Sequence, residues 1–423
     1  MTTRSTELLR VVHHRPGVTR ADAARLLGVG TGAATELVTK LSRAELLIQA
    51  PAAPSGTRGR PTTVLLPHPN GPLVFAVAIT HEGWRIDVVE LGGTAAASRS
   101  GRHAATGWPQ VRAAVAAGIQ ELLQRYGQRP RAIGASVPGT VSRTRRLDAS
   151  GLNWHDVDLT ELWPTAEVFV AGNDATLAAT AESSRGAAAG AAVHLHLRIE
   201  AGLGGAVVED GRPVIGARGA AGEFGHMPFG DPSISCPCGA HGCWGTAVDG
   251  TALARILGDP PPRDPITYAR RVITAAARTL ATNGPPSSAA AGPPSSAADG
   301  PPSSAAALAA DGPPGSAAAL AADGPSGDTD PALAAVRTIA TSLGRGMAGL
   351  VNALDADLVT LGGLGADLLA TVPDSIDAAY RNGLMLIHRA APPPVLAATL
   401  GDDDGPISGA AEDAWSALLP HLT

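Results

Sequence analysis

The chain is poor in cysteine, lysine and aromatic residues, and each shortage restricts what the protein can be. Its 423 residues include three cysteines and one lysine, Lys40, and only 3% are aromatic. No apolar run approaches the roughly 20 residues of a membrane-spanning helix, and residues 1–7 lack the apolar stretch of a secretory signal. We therefore expect a cytoplasmic protein with no membrane partner. A hydrophobic content of 44% still allows large cores in two or three domains.

All three cysteines lie within eight positions, a short distance after a histidine. His226, Cys236, Cys238 and Cys243 offer one imidazole and three thiolates, which is a ligand set for tetrahedral zinc without an open position. A single proline separates Cys236 from Cys238, a spacing that disfavours a disulfide between them. The pattern predicts a structural zinc site in a reducing compartment. Three small buried residues without a metal are the alternative.

Positive charge is concentrated at the N-terminus, although the whole chain carries a net charge of −6. Residues 1–66 contain nine Lys or Arg against four Asp or Glu, whereas the remainder contains 23 against 34. This asymmetry indicates a polyanionic partner for residues 1–66. Apolar spacing and turn residues predict three helices and a two-stranded wing, at residues 6–14, 20–27, 31–44, 46–48 and 63–66. That order is the plan of a winged helix-turn-helix DNA-binding domain; a protein partner is the alternative.

Beyond residue 72 the pattern changes to alternating strands and helices. The strands are predicted at residues 73–79, 84–91, 132–137, 168–170, 193–199 and 206–209, with alanine-rich helices such as 109–126 and 175–185 between some of them. This alternation indicates an α/β body. Residues 284–327 instead repeat Gly-Pro-Pro-Ser-Ser-Ala-Ala units. Their proline pairs block helices and they offer no large side chain to bury, so we expect a flexible insert.

Several short motifs of the body resemble the ROK family, whose name stands for repressors, open reading frames and sugar kinases. They are Val-Pro-Gly at 137–139, Asn-Asp-Ala at 173–175, Gly-Leu-Gly-Gly at 202–205, Glu-Phe-Gly-His at 223–226, Cys-x-Cys-Gly-x-x-Gly-Cys at 236–243, Asn-Ala-Leu-Asp at 352–355 and Leu-Gly-Gly at 361–363. The resemblance covers about residues 72–415 and implies an α/β body of two actin-like lobes with a cleft between them. The first lobe would span residues 72–180, completed by about 398–423, and the second residues 181–397 with the zinc site.

The resemblance also implies where a sugar and a nucleotide would bind. Asp174 matches the family's catalytic base, and Glu223 and His226 match its sugar-binding pair. Asn173-Asp174 also fits a helix N-cap, and the two roles are compatible. The further ligand-binding candidates are Asn173, Asn153 and Gly139. The glycines that match the phosphate and nucleotide loops are Gly202, Gly204, Gly205, Gly362 and Gly363.

The chain departs from the kinase pattern at the first phosphate hairpin. Kinase members of the family carry Asp-x-Gly-Gly-Thr there, whereas residues 78–82 read Ala-Ile-Thr-His-Glu. Side chains therefore occupy positions where bare backbone N–H groups should approach phosphate. Gly245 replaces a sugar-pocket glutamate, and Gly151 replaces an asparagine for which Asn153 lies near enough to substitute. Because phosphoryl transfer depends on positioning and electrostatic stabilisation, these losses favour a degenerate cleft in which Asp174 is vestigial.

We therefore expect a ROK-type transcriptional regulator, a repressor, that binds DNA as a homodimer or homotetramer and senses a sugar or sugar-like ligand. An active ATP-dependent sugar kinase is the alternative, and a sugar-binding protein with a decayed DNA domain is the third reading. The candidates for DNA contact are Arg20, Thr31, Thr35, Thr39, Lys40, Arg43, Arg58 and Arg60. Glu36 would repel phosphate, so the arginines must supply most of the attraction. Residues 58–61 fit a minor-groove arm and a solvated linker equally.

Overall fold

The computed structural model describes residues 3–52, 63–103, 107–283 and 330–423. Within these ranges the helices are α1 Arg4–His14, α2 Arg20–Leu27, α3 Thr31–Arg43, α4 Trp108–Tyr126, α5 Asp174–Arg185, α6 Gly250–Leu257, α7 Pro265–Asn283, α8 Pro331–Leu354, α9 Leu364–Thr371, α10 Pro373–Gly383, α11 Leu386–Ala390 and α12 Asp404–Leu418. The strands are β1 Leu47–Pro51, β2 Thr63–Pro67, β3 Leu73–Ile79, β4 Gly83–Glu90, β5 Ala95–Arg102, β6 Pro130–Val137, β7 Thr140–Val141, β8 Arg146–Ala149, β9 Trp154–Asp158, β10 Val168–Asn173, β11 Val193–Ile199, β12 Leu203–Glu209, β13 Arg212–Pro213, β14 Leu358–Gly363 and β15 Val395–Ala397. The predicted insert at 284–327, Arg58 and Arg60 lie outside the described residues.

The N-terminal segment folds as three helices followed by an antiparallel hairpin of β1 and β2. The Thr19 side chain caps α2 by accepting a hydrogen bond from the Asp22 N–H, and α2 ends at Gly28 in the left-handed conformation. Ala34, Val38 and Leu41 form the buried face of α3. This is the predicted winged helix-turn-helix arrangement.

The first lobe is built on a five-stranded sheet in the order β10-β6-β3-β4-β5. The strands β3, β6 and β10 are parallel, and β4 and β5 continue the sheet as antiparallel neighbours. Helix α12 packs so closely on this sheet that a Cβ at Gly134 would lie 1.9 Å from the backbone oxygen of Ala410. The C-terminal helix therefore completes the first lobe.

The second lobe is built on another five-stranded sheet, in the order β13-β12-β11-β14-β15. Strands β11 and β14 are parallel, and β11 forms a tight antiparallel hairpin with β12. Its core joins the sheet to α6, α7 and α8 and includes Trp244, fully buried just after the last cysteine. The two sheets with their helices give the two-lobed α/β body predicted from the sequence.

The N-terminal helices share a hydrophobic cluster with the first lobe. Leu8 and Leu9 of α1 belong to the same buried cluster as Trp415 and Leu418 of α12. Burial of one such side chain contributes roughly 1.5–3 kcal/mol. Several of them together are enough to hold helices α1, α2 and α3 against the first lobe.

Candidate functional site

The four predicted metal ligands converge on one point. The ligand atoms of His226, Cys236, Cys238 and Cys243 all lie within 4.8 Å of one another. The sulfurs of Cys238 and Cys243 are 3.6 Å apart, and Cys236 Sγ lies 3.7 Å from His226 Nδ1. Tetrahedral zinc with bonds of about 2.3 Å to sulfur separates neighbouring sulfurs by about 3.8 Å. The donor set and its spacing therefore fit a zinc ion bound through Nδ1 of the histidine.

Glu223 and His226 lie next to each other on the cleft side of this cluster. The outer nitrogen of His226, Nε2, is 3.8 Å from Glu223 Oε2. Thr140, on the first lobe, donates a hydrogen bond of 3.3 Å to Glu223 Oε1. One histidine can therefore bind a metal with Nδ1 and leave Nε2 for a ligand, as the sequence predicts, and the pair contacts both lobes.

Asp174 begins helix α5 at the end of strand β10. Asn173 caps the helix by accepting hydrogen bonds from the N–H groups of Ala175 and Thr176, and its amide donates to the Gly139 oxygen at 3.0 Å. Burial raises the pKa of Asp174, whereas the positive charge of Arg198 opposes that rise. The structure thus brings Asn173, Asp174 and Gly139 together, and the capping role predicted for Asn173 is present.

In the hairpin that matches the first phosphate loop, backbone N–H groups donate hydrogen bonds to a side chain of the same hairpin. The N–H groups of Glu82 and Gly83 both lie 3.2 Å from Thr80 Oγ1, which accepts hydrogen bonds from them. His103 Nε2 lies 3.0 Å from the Thr80 carbonyl oxygen and donates to it. Backbone N–H groups that would have to face a phosphate at this turn are therefore already engaged.

At the glycine turn that ends β14, the backbone N–H group likewise donates to a side chain of the protein. Gly363 has φ +59°, and a Cβ there would lie 2.1 Å from the Ile199 oxygen, so only glycine fits. Its N–H donates to Asp402 Oδ1 at 3.0 Å. Arg270 donates to the other Asp402 oxygen at 2.6 Å, and Arg198 donates to the Asp402 backbone oxygen at 2.7 Å. A carboxylate therefore takes the place at which an external anion would meet this turn.

The remaining glycines and Asn153 are placed less centrally. Gly202 is exposed at the tip of the β11–β12 hairpin, while Cβ atoms at Gly204 and Gly205 would press on Ala175 and on the His196 backbone. Gly362 faces the buried ring of His196. Asn153 is exposed with φ +54°, and none of the hydrogen bonds among the described residues joins it to Asp174 or Glu223. The assignment of Asn153 to the ligand site therefore stays a prediction.

The predicted DNA-contacting side chains of α2 and α3 are exposed. Thr31, Thr35, Thr39, Lys40 and Arg43 are exposed on α3, opposite its buried residues, and Arg20 is exposed at the start of α2. The hydroxyls of Thr35 and Thr39 donate to the carbonyl oxygens one turn earlier, each at 2.8 Å. Their oxygens remain able to accept hydrogen bonds, and the two basic side chains of α3 extend from the same face.

Residues 88–284 match the sequence profile described as the ROK family. The chain carries a ROK domain. A glucokinase of Halalkalibacterium halodurans is 33% identical to this chain over 129 residues, and a kanosamine kinase of Amycolatopsis mediterranei is 34% identical over 149 residues. These matches cover 29% and 34% of the chain but only 39% and 48% of the two relatives. The chain therefore spans less than half the length of either kinase.

Solved structures resemble the ROK domain and its N-terminal extension in fold. A ROK family transcriptional regulator, described as a homolog of the E. coli MLC protein, superposes with a TM-score of 0.68 at 19% identity, covering 99% of this chain and 97% of the regulator. A ROK hexokinase from Thermus thermophilus superposes with a TM-score of 0.56 at 24% identity, covering 81% of this chain and 98% of the hexokinase. Identities this low establish the shared fold. Within the part of the chain that the structure describes, no helix is long and apolar enough to span a bilayer.

Four residues of this candidate site were not predicted from the sequence. Thr140, His103, Arg198 and Asp402 each complete a contact of the cleft, yet none belongs to a recognisable motif. Arg198 lies on β11 and is 8% exposed, a rare burial for arginine that only the folded cleft reveals. The run Asp402-Asp403-Asp404 is the one signal in the sequence that could have indicated an acidic cap.

Proposed function

We propose that the chain is a cytoplasmic ROK regulator, a repressor, that binds DNA through residues 1–66 and senses a sugar or sugar-like ligand between its lobes. It acts as a homodimer or homotetramer, and a structural zinc ion bound by His226, Cys236, Cys238 and Cys243 holds the ligand pair Glu223 and His226 in place. Asp174 contributes to ligand binding and performs no phosphoryl transfer.

The main support for this proposal is that backbone N–H groups at both phosphate turns are already hydrogen-bonded within the protein. The N–H groups of Glu82, Gly83 and Gly363 already donate to Thr80 and Asp402. A kinase needs such preorganised donors free for the nucleotide, because positioning and charge stabilisation supply nearly all of phosphoryl-transfer catalysis. The carboxylate of Asp402 at this turn would in addition repel a triphosphate.

The N-terminal segment supports a regulatory role. The structural similarity to a transcriptional regulator extends over 99% of this chain, whereas the similarity to the hexokinase covers 81%. The exposed basic face of α3 and the charge asymmetry of the sequence both suit a phosphate backbone. The two sequence relatives described above are a glucokinase and a kanosamine kinase, so the ligand chemistry of the cleft is expected to be that of sugars.

Helix α5 offers a direct connection between the ligand site and the N-terminal helices. Asp174 begins this helix and Arg185 ends it. The Arg185 guanidinium donates to the backbone oxygen of His13, on α1, at 3.1 Å and forms an ion pair with Glu412. A ligand can alter DNA binding only by preferring one of two arrangements, and this helix lets a preference at Asp174 reach α1.

Replacing Arg43 with alanine is expected to weaken DNA binding at all sequences, because the side chain is exposed on α3 and suited to a phosphate contact. The slope of log affinity against log salt should fall by about 1. The measurement is a mobility shift or fluorescence titration on DNA upstream of the coding sequence, at several salt concentrations.

The matched control is Arg212→Ala, which removes an exposed arginine from the second lobe. It should leave both affinity and salt slope unchanged. Point variants are preferable to deleting residues 1–66, since the deletion would expose the hydrophobic cluster around Trp415. Equal effects of the two substitutions, or no DNA binding by the intact chain, would contradict the proposal.

The rival function is an ATP-dependent sugar kinase. A coupled assay of ADP release with a panel of hexoses, pentoses and N-acetylhexosamines is expected to show no sugar-dependent turnover. Asp174→Asn is the control, because it removes the only carboxylate matched to a catalytic base. Turnover that disappears in Asp174→Asn would establish the kinase and overturn the proposal.

A further inference from the structure

The two places where the sequence departs from the kinase pattern on the first lobe meet in space. His81 Nε2 lies 3.5 Å from the point that a Cβ at Gly151 would occupy. A Cβ at 151 would therefore be in van der Waals contact with the His81 ring. Burial raises the pKa of Asp174, and Arg198 and the His81 ring both oppose that rise, so His81 lies near the ligand site. His81 and Gly151 together connect Asp174 with the surface around residues 151–155.

 Gly151 also lines a cavity of about 610 Å³. This volume is within the range of about 300–1,000 Å³ typical of small-molecule sites. The described residues that line it include Trp108, Gly151, Leu152, Asn153 and His155.

Trp108 gives the cavity a fixed aromatic wall. Its ring meets the buried ring of Trp154 edge to face, with centroids 5.4 Å apart and planes at 65°. Trp154 is 3% exposed and anchored in the first-lobe core, whereas Trp108 is half-buried. The indole of Trp108 is thus held in place by packing and still has surface to offer a ligand.

The polar groups of the cavity suit hydroxyls better than phosphates. Asn153 and His155 are exposed and supply amide and imidazole donors and acceptors. None of the described lining residues is Lys or Arg, and Asp148 Oδ1 lies 3.7 Å from His155 Nδ1. A neutral sugar ring suits both the aromatic wall and the polar groups, because it has an apolar C–H face for the indole and hydroxyls for the polar side chains.

We propose that this cavity is the subsite for the second ring of a neutral disaccharide whose first ring lies at Asp174. The inference rests on the proposed sugar-sensing function and specifies its ligand class. Gly151 leaves the passage between the two rings open, and Asn153 and Trp108 bind the second ring. The departures at His81 and Gly151 thereby change the ligand from one ring to two.

The test is isothermal titration of the full chain with matched sugars. The pairs are glucose with maltose and cellobiose, galactose with lactose, xylose with xylobiose, and N-acetylglucosamine with N,N′-diacetylchitobiose. One disaccharide is expected to bind at least about tenfold more tightly than its monosaccharide, which corresponds to about 1.4 kcal/mol. Trp108→Ala should remove this gain and leave monosaccharide affinity unchanged, whereas Trp108→Phe should retain most of it. Gly151→Asn should also remove the gain.

Each other outcome is decisive. Monosaccharide binding without a gain for any disaccharide, or a gain that survives Trp108→Ala, would overturn the subsite and leave sugar sensing intact. Equal weakening of both ligands by Trp108→Ala would mean that Trp108 only supports the fold, which also overturns the assignment. Binding of neither sugar class would refute the proposed sensing function itself, and the subsite with it.

Discussion

Replacing Glu412 with alanine is expected to lower the free energy of unfolding by about 3–5 kcal/mol, because it leaves a buried charge without its partner. Glu412 is 5% exposed on α12, its Oε1 accepts from Arg185, and its Oε2 lies 3.1 Å from His13 Nε2. His13 Nδ1 accepts the Gly92 N–H at 2.9 Å, so Nε2 carries the proton and donates to Glu412. Denaturant unfolding of the full chain measures the loss.

Asp377→Ala is the matched control, because Asp377 forms an exposed ion pair with Arg381 one helical turn away. Its removal should change stability by no more than about 0.5 kcal/mol. Similar losses for the two variants would show that the buried cluster does not hold α1 against the body.

The same carboxylate predicts how stability depends on pH. Burial alone would raise the pKa of Glu412, but the hydrogen bond from His13 and the charge of Arg185 lower it from 4.5 to about 2. A depressed carboxyl pKa stabilises the fold fully above its unfolded value, and the contribution is lost as pH falls from about 4.5 towards 2. Glu412→Ala should lack this part of the acid transition, and an unchanged transition would contradict the assignment.

Replacing Cys243 with serine is expected to release the metal and to destabilise the chain by more than about 4 kcal/mol. Cys243 is the most buried of the four ligands, and Trp244 beside it is part of the second-lobe core. Loss of the metal should therefore loosen residues 222–245 and displace Glu223 and His226. Elemental analysis should give one zinc per wild-type chain and none in the variant, with a lower melting temperature.

His241→Ala provides the control for this experiment. His241 is exposed in the same loop but is not among the four converging ligands. Its replacement should keep zinc content and melting temperature close to wild type. Wild-type protein purified without zinc, or full zinc content in Cys243→Ser, would refute the structural metal.

The features predicted best from the sequence are those encoded locally. The four metal ligands lie within 18 positions of the chain, with glycines and a proline that bend the backbone around them. Helix α3 was recognisable because Ala34, Val38 and Leu41 recur at helical spacing. In both cases the physical constraint acts between near neighbours, so the order of residues is enough to reveal it.

The features that escaped prediction depend on contacts between distant residues. Strand β5 reads Ala-Ala-Ala-Ser-Arg-Ser-Gly-Arg and lacks alternating apolar residues, because it is an edge strand that takes its register from β4. The hydrogen bond between His13 and Glu412 joins positions 399 apart. Likewise, nothing in the sequence indicates that His81 would meet Gly151, since tertiary packing alone brings them together.

Helix α5 limits how freely the N-terminal segment of such a protein can be exchanged for that of another. Its 12 residues span about 18 Å, from Asp174 to Arg185. The Arg185 guanidinium donates a hydrogen bond to the backbone of α1. Exchanging residues 1–66 for those of another protein would leave Arg185 and Glu412 facing a foreign surface. A working chimaera would have to bring its own histidine at position 13, so the two halves are not interchangeable modules.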